Sequence, residues 1–124
     1  MTTKRVLSVG NCVADHWAMS TTIQRDFSVE VVSARTADEA LALLQRESFA
    51  LVMVNRLLDA DGTTGLELIQ RIKADEQLRQ VPVMLISNYP EAQAEAEQAG
   101  AVPGFGKAAL GESQTVDRLR PFLT

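Results

Sequence analysis

The sequence predicts an α/β fold, in which a doubly wound, five-stranded parallel sheet is combined with five helices. Short apolar runs alternate with segments of helical period along the chain. Three of these runs are almost continuously apolar, which is typical of strands that are buried on both faces of a parallel sheet. Because right-handed crossovers leave few topologies for such a chain, we predict the strand order 2-1-3-4-5.

The predicted strands are short and lie between the helical segments. Four of the apolar runs are clear, and the fifth, near the C-terminus, is weaker. The second run alternates between polar and apolar residues, which suits a strand at the edge of the sheet. The runs cover residues 6–9, 29–32, 51–54, 81–86 and 101–105.

Local signals mark the helices. Thr36 and Glu39 form a capping box, in which the threonine hydroxyl accepts a hydrogen bond from the amide of Glu39. Pro90 suits the first turn of the fourth helix, and Gly100 suits the position just after its end. Apolar residues at helical spacing predict one buried stripe on each of the second and third helices. The stripes are Ala37, Ala40, Leu41 and Leu44, and then Leu68, Ile69 and Ile72.

The last two helices differ in how firmly they should be held. The fourth has alanine as its only apolar residue type, so we expect it to be lightly anchored, because alanine buries little area. The fifth should start near Gly111 and bury Val116, Leu119 and Phe122. Pro121 lacks an amide donor and should disturb the final turn of this helix.

Length and composition limit the class of protein. With 124 residues, the chain is expected to form a single domain over residues 1–124 with one real core. The net charge of −4 disfavours a nucleic-acid role that depends on phosphate contacts. The single cysteine, Cys12, cannot form an internal disulfide, which fits a cytoplasmic location. The sequence has neither an apolar stretch long enough to span a membrane nor the pattern of a signal peptide.

A candidate site follows from the predicted topology. Ligands of doubly wound sheets bind at the carboxyl ends of the strands, where the direction of winding reverses. The residues that directly follow the first, third, fourth and fifth strands should therefore lie close together. They are Gly10 and Asn11, Asn55, Ser87, and Lys107.

These positions also carry a resemblance to a known family. The matching segments are residues 6–11, 49–55, 65–69, 81–87 and 99–107, in this order and spacing. Together they resemble a response-regulator receiver domain, over essentially the whole chain. The resemblance implies a flavodoxin-like fold and a role in two-component, or phosphorelay, signal transduction.

The chemistry that the resemblance implies is incomplete at three positions. In receivers, the first strand ends in two acidic residues that help to hold a magnesium ion, and these places fall on Gly10 and Asn11. The aspartate that accepts the phosphoryl group falls on Asn55. A carboxamide is a poor nucleophile, and magnesium prefers anionic oxygen ligands. We therefore expect no phosphoryl transfer to Asn55, weak or absent magnesium binding and no other cofactor.

Three other positions match what the family implies. Ser87 stands where a hydroxyl contacts the phosphoryl group, Lys107 where an ammonium group contacts it, and Phe105 where an aromatic residue switches. The loop over residues 56–65 departs from the family, because it is about two residues longer and lacks the usual proline. With no carboxylate expected nearby, Lys107 should be solvated or should donate to Asn55 or to a loop carbonyl. We expect Ser87 to cap the fourth helix or simply to end a strand.

The leading hypothesis is an atypical receiver, or pseudo-receiver, that is not an enzyme and acts by protein–protein interaction. Its partners would be a sensor kinase, an output protein or another regulator. The face of the fourth helix, fifth strand and fifth helix, which is the usual partner surface of receivers, could also form a homodimer. Nucleic-acid and membrane binding are not expected.

Two alternatives remain open. One of Asp59 and Asp61 could replace the missing acceptor, although Asp-Gly at residues 61–62 favours a solvated turn. A calcium loop is weaker still, because Thr64 and Gln70 occupy the places of the required glycine and glutamate. The second alternative is a sensor of a small ligand or anion that uses the same cleft.

Four residues shortly after the first strand have side chains that could bind a metal, act as a nucleophile or contact a partner. Cys12, Asp15 and His16 could form a metal site or a nucleophilic dyad, but the sequence offers no second ligand pair of compatible spacing. We expect them to be surface or helix-start residues. Trp17 either packs against the sheet or stays exposed as an anchor for a partner.

Overall fold

The computed structural model describes residues 3–124, in which strands and helices alternate. The strands are β1 (Lys4–Val9), β2 (Val29–Ala34), β3 (Leu51–Asn55), β4 (Val83–Ile86) and β5 (Val102–Phe105). The helices are α1 (Val13–Asp26), α2 (Ala37–Arg46), α3 (Gly65–Ala74), α4 (Pro90–Gln98) and α5 (Ser113–Leu123), with a 3₁₀ turn at Lys107–Ala109.

The strands of the described residues form one parallel sheet of five strands in the order β2-β1-β3-β4-β5. The predicted fold class and strand order are therefore confirmed. β2 lies at an edge, as its mixed pattern indicated. β4 is shorter than predicted and begins at Val83, after Pro82, which has no amide to donate to a neighbouring strand.

Alternate residues of the strands face two separate cores. On one face, Leu7, Val52 and Leu85 pack with the stripes of α2 and α3. On the other, Val6 and Met53 pack with residues of α1 and α5. Both faces of the sheet are thus covered, as expected for a parallel sheet. The carboxyl ends of the strands meet at one edge between these layers.

The local helix signals act largely as predicted. Thr36 accepts from the amide of Glu39, and the predicted stripes of α2 and α3 are buried apart from Leu41, which is partly buried. α5 starts two residues later than expected, since Gly111 has a φ of 91° and belongs to the preceding turn. Leu119 is buried, whereas Val116 and Phe122 are only partly buried. The helix continues past Pro121 to Leu123, so the proline does not end it.

α4 is held by few apolar contacts and by one polar side chain. Ala96 is its single buried residue among those described. The amide of Gln93 donates to the backbone carbonyls of Leu85 and Ser87, at 2.9 and 3.1 Å. These two hydrogen bonds anchor α4 to the end of β4, and the alanine content of the helix did not predict them.

Within residues 3–124, no helix has the length and hydrophobicity needed to cross a membrane.

Candidate functional site

The predicted strand-end residues do come together. A cleft of about 240 Å³ opens at the carboxyl edge of the sheet, beside the ends of β3 and β4 and the turn that follows β5. Asn55, Ser87 and Lys107 line it, whereas Gly10, Asn11 and Phe105 are buried and are not part of its lining. Its lining residues are Asn55, Arg56, Leu57, Ile86, Ser87, Asn88, Tyr89 and Lys107.

Asn55 is the last residue of β3, and its side chain is held by the backbone. The residue is 9% exposed, and its Nδ2 donates to the carbonyl oxygen of Gly10 at 3.1 Å. A carboxylate has no proton to donate and would repel this oxygen. Within residues 3–124, the Oδ1 atom of Asn55 has no hydrogen-bond partner. The site therefore suits a carboxamide and keeps one buried acceptor unsatisfied.

Gly10 is shaped by the loop that follows β3. Its φ is 87°, and a Cβ at this position would lie 2.8 Å from Cγ and 2.9 Å from Cα of the buried Leu58. Its carbonyl oxygen also accepts from the amide of Asp59, at 3.0 Å. The loop after β3 thus packs directly against Gly10 at the end of β1 and leaves no room for a side chain there.

Asn11 is buried next to this position. Its Nδ2 lies 2.6 Å from Oγ of Ser8, and among the described residues its Oδ1 has no partner. Asn11 and Asn55 therefore place two neutral side-chain amides near the place where the resemblance implies carboxylates.

Lys107 pairs with a carboxylate that the sequence did not suggest. Its Nζ lies 2.9 Å from Oδ2 of Asp15, in the first turn of α1. Our expectation of a solvated lysine, or of one bonded to Asn55 or a loop carbonyl, was wrong. Asp15 is 92 residues away in sequence, and only the fold brings the two together. The hydrogen bond and the charge of Lys107 hold the pKa of the Asp15 carboxyl below its usual range.

Replacing Lys107 with glutamine should raise the pKa of Asp15. Because folding lowers this pKa, the pair contributes stability above the unfolded pKa of Asp15, and the contribution is lost as the pH falls through the folded pKa. Both side chains are about half exposed, so the contribution should stay below about 1 kcal/mol. An NMR titration of the Asp15 carboxyl, with Arg25→Gln as the control, would measure the change. An unchanged Asp15 titration in Lys107→Gln would contradict the pairing.

Ser87 ends the strand and does not cap the helix. Its Oγ accepts from the amide of Tyr89 at 3.1 Å, and Tyr89 itself occupies the N-cap position of α4. The expectation of a capping serine was wrong, because two residues separate the strand end from the helix. The alternative of a strand-end hydroxyl is confirmed. The hydroxyl retains its proton, which it can donate.

Sequence reasoning missed Arg56, Asn88 and Tyr89 among the residues that line the cleft, although Arg56 and Asn88 each directly follow a strand-end position. The Arg56 guanidinium stacks over the ring of Tyr89, 5.0 Å from its centroid. The Oδ1 of Asn88 accepts from the amide of Ala108 at 3.1 Å and joins the loops after β4 and β5. Phe105 is buried, and its carbonyl accepts from the amide of Ser87.

The two loop aspartates behave as turn residues. The Oδ1 of Asp61 accepts from the amide of Thr63 at 2.9 Å, and hydrogen bonds from Thr63 hold the pKa of Asp61 below its usual range. Asp59 approaches Arg35 at 3.7 Å. Both are exposed and lie outside the lining of the cleft. The turn interpretation is confirmed.

The residues after β1 form the start of α1. Cys12 occupies the N-cap position, and His16 lies 3.4 Å from the hydroxyl of Ser20. No group of three His, Cys, Asp or Glu side chains in the described part of the chain could hold a metal ion. Trp17 is 69% exposed and shares a helix face with the exposed Val13. Of the two predicted positions, Trp17 therefore stays exposed and does not pack against the sheet.

Comparisons with known proteins agree on the fold. No family model and no curated protein matches the sequence. Among solved structures, the chemotaxis response regulator CheY4 of Vibrio cholerae is 24% identical, with 98% of this chain and 100% of that chain covered and a TM-score of 0.81. The receiver domain of NtrX from Brucella abortus is 25% identical, with coverages of 94% and 97% and a TM-score of 0.80.

A CheY-like receiver domain protein from Methanospirillum hungatei is also similar, at 23% identity, coverages of 97% and 93% and a TM-score of 0.78. These neighbours are response-regulator receiver domains, and they support the resemblance seen in the sequence. The chain has the CheY-like receiver fold, with five parallel strands in the order 2-1-3-4-5 and five helices over the described residues.

Proposed function

We propose that the protein is an atypical receiver domain in two-component signalling, which acts by protein–protein interaction and does not accept a phosphoryl group at the end of β3. One observation carries the proposal. The Nδ2 of the buried Asn55 donates to the carbonyl oxygen of Gly10, so the position that the resemblance assigns to the phosphoryl acceptor holds a carboxamide that is bonded to the backbone. An exposed asparagine side chain would have no such fixed backbone partner.

Magnesium is not part of the proposal, because the residues do not fit it. The first position that the resemblance assigns to a ligand, Gly10, has no side chain and no space for one. Asn11 and Asn55 offer neutral carbonyl oxygens, whereas magnesium is bound through carboxylates in near-octahedral geometry. Phosphoryl transfer also needs charge neutralisation by a metal. We propose that the domain is not an enzyme.

The scaffold around the cleft supports a signalling role without this chemistry. Ser87, Phe105 and Lys107 match what the resemblance implies, and the Asp15–Lys107 pair ties the loop after β5 to α1. A partner that binds one arrangement of these loops better than another shifts the population between them. The proposed partners are signalling proteins of the cytoplasm, with the α4–β5–α5 face as a further surface for them or for a second copy.

Incubation with acetyl phosphate and magnesium, followed by intact-mass measurement, tests the proposal. We expect no phosphoryl adduct on the wild-type protein and no robust adduct on Asn55→Asp, because the metal ligands are missing as well. A receiver with its acidic residues intact is the positive control. A stable adduct mapped to Asp59 or Asp61 would overturn the proposal in favour of a displaced acceptor.

A sensor of small anions is the second candidate, and the composition of the cleft favours it. Arg56 and Lys107 are cationic, and none of the eight lining residues, all described, carries a carboxylate, although Asp15 pairs with Lys107 from outside the lining. Inorganic phosphate separates this candidate from the first. If the protein is a sensor, phosphate should raise its melting temperature without any covalent change. The rise should be absent in Lys107→Gln.

A further inference from the structure

A second cleft lies beside the first, between the start of α3 and the outer face of α4. Its volume is about 320 Å³, within the range of ligand pockets. Leu66 and Leu85 supply apolar walls, and Ala92 supplies the floor on the side of α4. We call it the α3–α4 groove. It shares only Arg56 and Tyr89 with the strand-end cleft.

The groove exists because α4 presents alanine where a larger residue would fill the space. Ala92 is partly buried and packs at the margin of the core cluster that contains Leu85. Its single methyl group leaves room for an apolar side chain from outside. Burial of such a side chain against Leu66 and Leu85 is favourable in proportion to the area removed from water.

The charges on α4 specify which outside segment fits. The helix carries Glu91, Glu95 and Glu97 and has no basic residue between Pro90 and Gln98. Glu91 and Glu95 line the groove one turn apart, about 6 Å along the helix axis. Like charges at this spacing repel, and Glu97 lies near the negative end of the helix dipole. The arrangement weakens the isolated helix.

The protein does not neutralise these carboxylates itself. Within residues 3–124, none of the three glutamates forms an ion pair. The nearest cation of the groove, Arg56, stacks over the ring of Tyr89. The two groove carboxylates are therefore available to basic groups of another molecule.

We propose that the α3–α4 groove docks a basic amphipathic helix of a partner protein. An apolar side chain of this helix enters between Leu66 and Ala92, and lysine or arginine residues one turn apart pair with Glu91 and Glu95. The proposal rests on the proposed function, since it names the surface and the partner chemistry of that interaction. It does not involve Asn55, Ser87 or Lys107 of the strand-end cleft, although Arg56 and Tyr89 line both, and it needs no residue of β5 or α5.

Tyr89 supplies a local probe, because it is the only tyrosine in the sequence and lies in the groove. Labelling with 3-fluorotyrosine should give one ¹⁹F resonance. Titration with a synthetic amphipathic helix of leucine and lysine should move this resonance saturably, and high salt should weaken the binding. The matching helix of leucine and glutamate should leave the resonance in place.

Substitutions in α4 distinguish binding of the peptide in the groove from its general electrostatic attraction to an acidic protein. Ala92→Leu should fill the groove and weaken binding of the leucine–lysine helix by about tenfold, whereas Ala94→Leu adds the same volume to the exposed face and should not. The double variant Glu91→Gln and Glu95→Gln should also weaken binding, and it leaves the packing of α4 intact. Equal affinities for Ala92→Leu and Ala94→Leu would overturn the proposal.

Two further outcomes decide the matter. Peptide binding that leaves the Tyr89 resonance unmoved would place the interaction elsewhere and overturn the groove. A shift that depends on protein concentration without peptide would assign the groove to a second copy of the chain. The titration contains neither magnesium nor a phosphoryl donor, so a phosphoadduct at Asp59 or Asp61 would overturn the proposed function without touching this result.

Discussion

Gly10→Asp is expected to lower the free energy of unfolding by about 2–5 kcal/mol. The residue has a φ of 87°, which an L side chain adopts with strain, and the new Cβ would lie 2.8 Å from Cγ of Leu58. Its distance from Cα of Leu58 would be 2.9 Å, so a change of rotamer cannot relieve the contact. Urea unfolding monitored by circular dichroism measures the loss.

Gly62→Asp is the matched control for this prediction. Gly62 also has a positive φ, of 71°, but a Cβ there would meet nothing within 4 Å. We expect its loss to be about 1 kcal/mol, since aspartate tolerates this conformation better than most residues. Similar losses for both variants would show that backbone strain acts alone and that Leu58 does not exclude a side chain. If the predicted difference is found, Asn55→Asp alone would leave the position of Gly10 without a carboxylate.

Gly65→Ala is expected to destabilise the protein, although alanine normally favours a helix by about 1 kcal/mol over glycine. A Cβ at Gly65 would lie 2.1 Å from the carbonyl oxygen of Asn55 and 2.9 Å from Cδ1 of Leu85. Because one of these atoms belongs to the backbone, α3 must move away from the end of β3. We expect a loss of about 1–3 kcal/mol or more.

The consequence should extend to the candidate site. A shift of the Asn55 backbone weakens the bond from its Nδ2 to Gly10, so the side-chain amide protons of Asn55 should exchange faster with solvent. Gly111→Ala is the control for a loss of stability without a clash near Asn55. Gly111 has a φ of 91°, so alanine there is strained, but the nearest atom to its Cβ would be Thr22 Cγ2, at 3.8 Å. A gain in stability for Gly65→Ala would refute the predicted clash.

Secondary structure and sheet order were accessible from the sequence because they depend on local patterns. Thr36 and Glu39 mark the start of α2 through atoms three residues apart, and the hydrogen bond forms as expected. The continuous apolar run of β3 predicted a strand between two cores, and the structure buries its residues on both faces. Such signals need no knowledge of distant residues.

The site was predictable in its positions and unpredictable in its contacts. Topology alone placed Asn55, Ser87 and Lys107 at the same edge of the sheet. Asp15 was expected to be a surface residue of α1, and its pairing with Lys107 needs the first helix and the last loop to meet. The anchoring of α4 by Gln93 was missed for the same reason, because a polar side chain carries no periodic signal.

The sequence by itself determined the order of the elements, the faces that they bury and the absence of an aspartate from the end of β3. Periodicity and residue identity carry that information locally. Only the tertiary structure decided that the carboxamide of Asn55 serves the carbonyl of Gly10, that Leu58 excludes a side chain at Gly10, and that two glutamates of α4 border an open groove. These facts depend on distances of a few ångströms between segments far apart in the chain, which only packing sets.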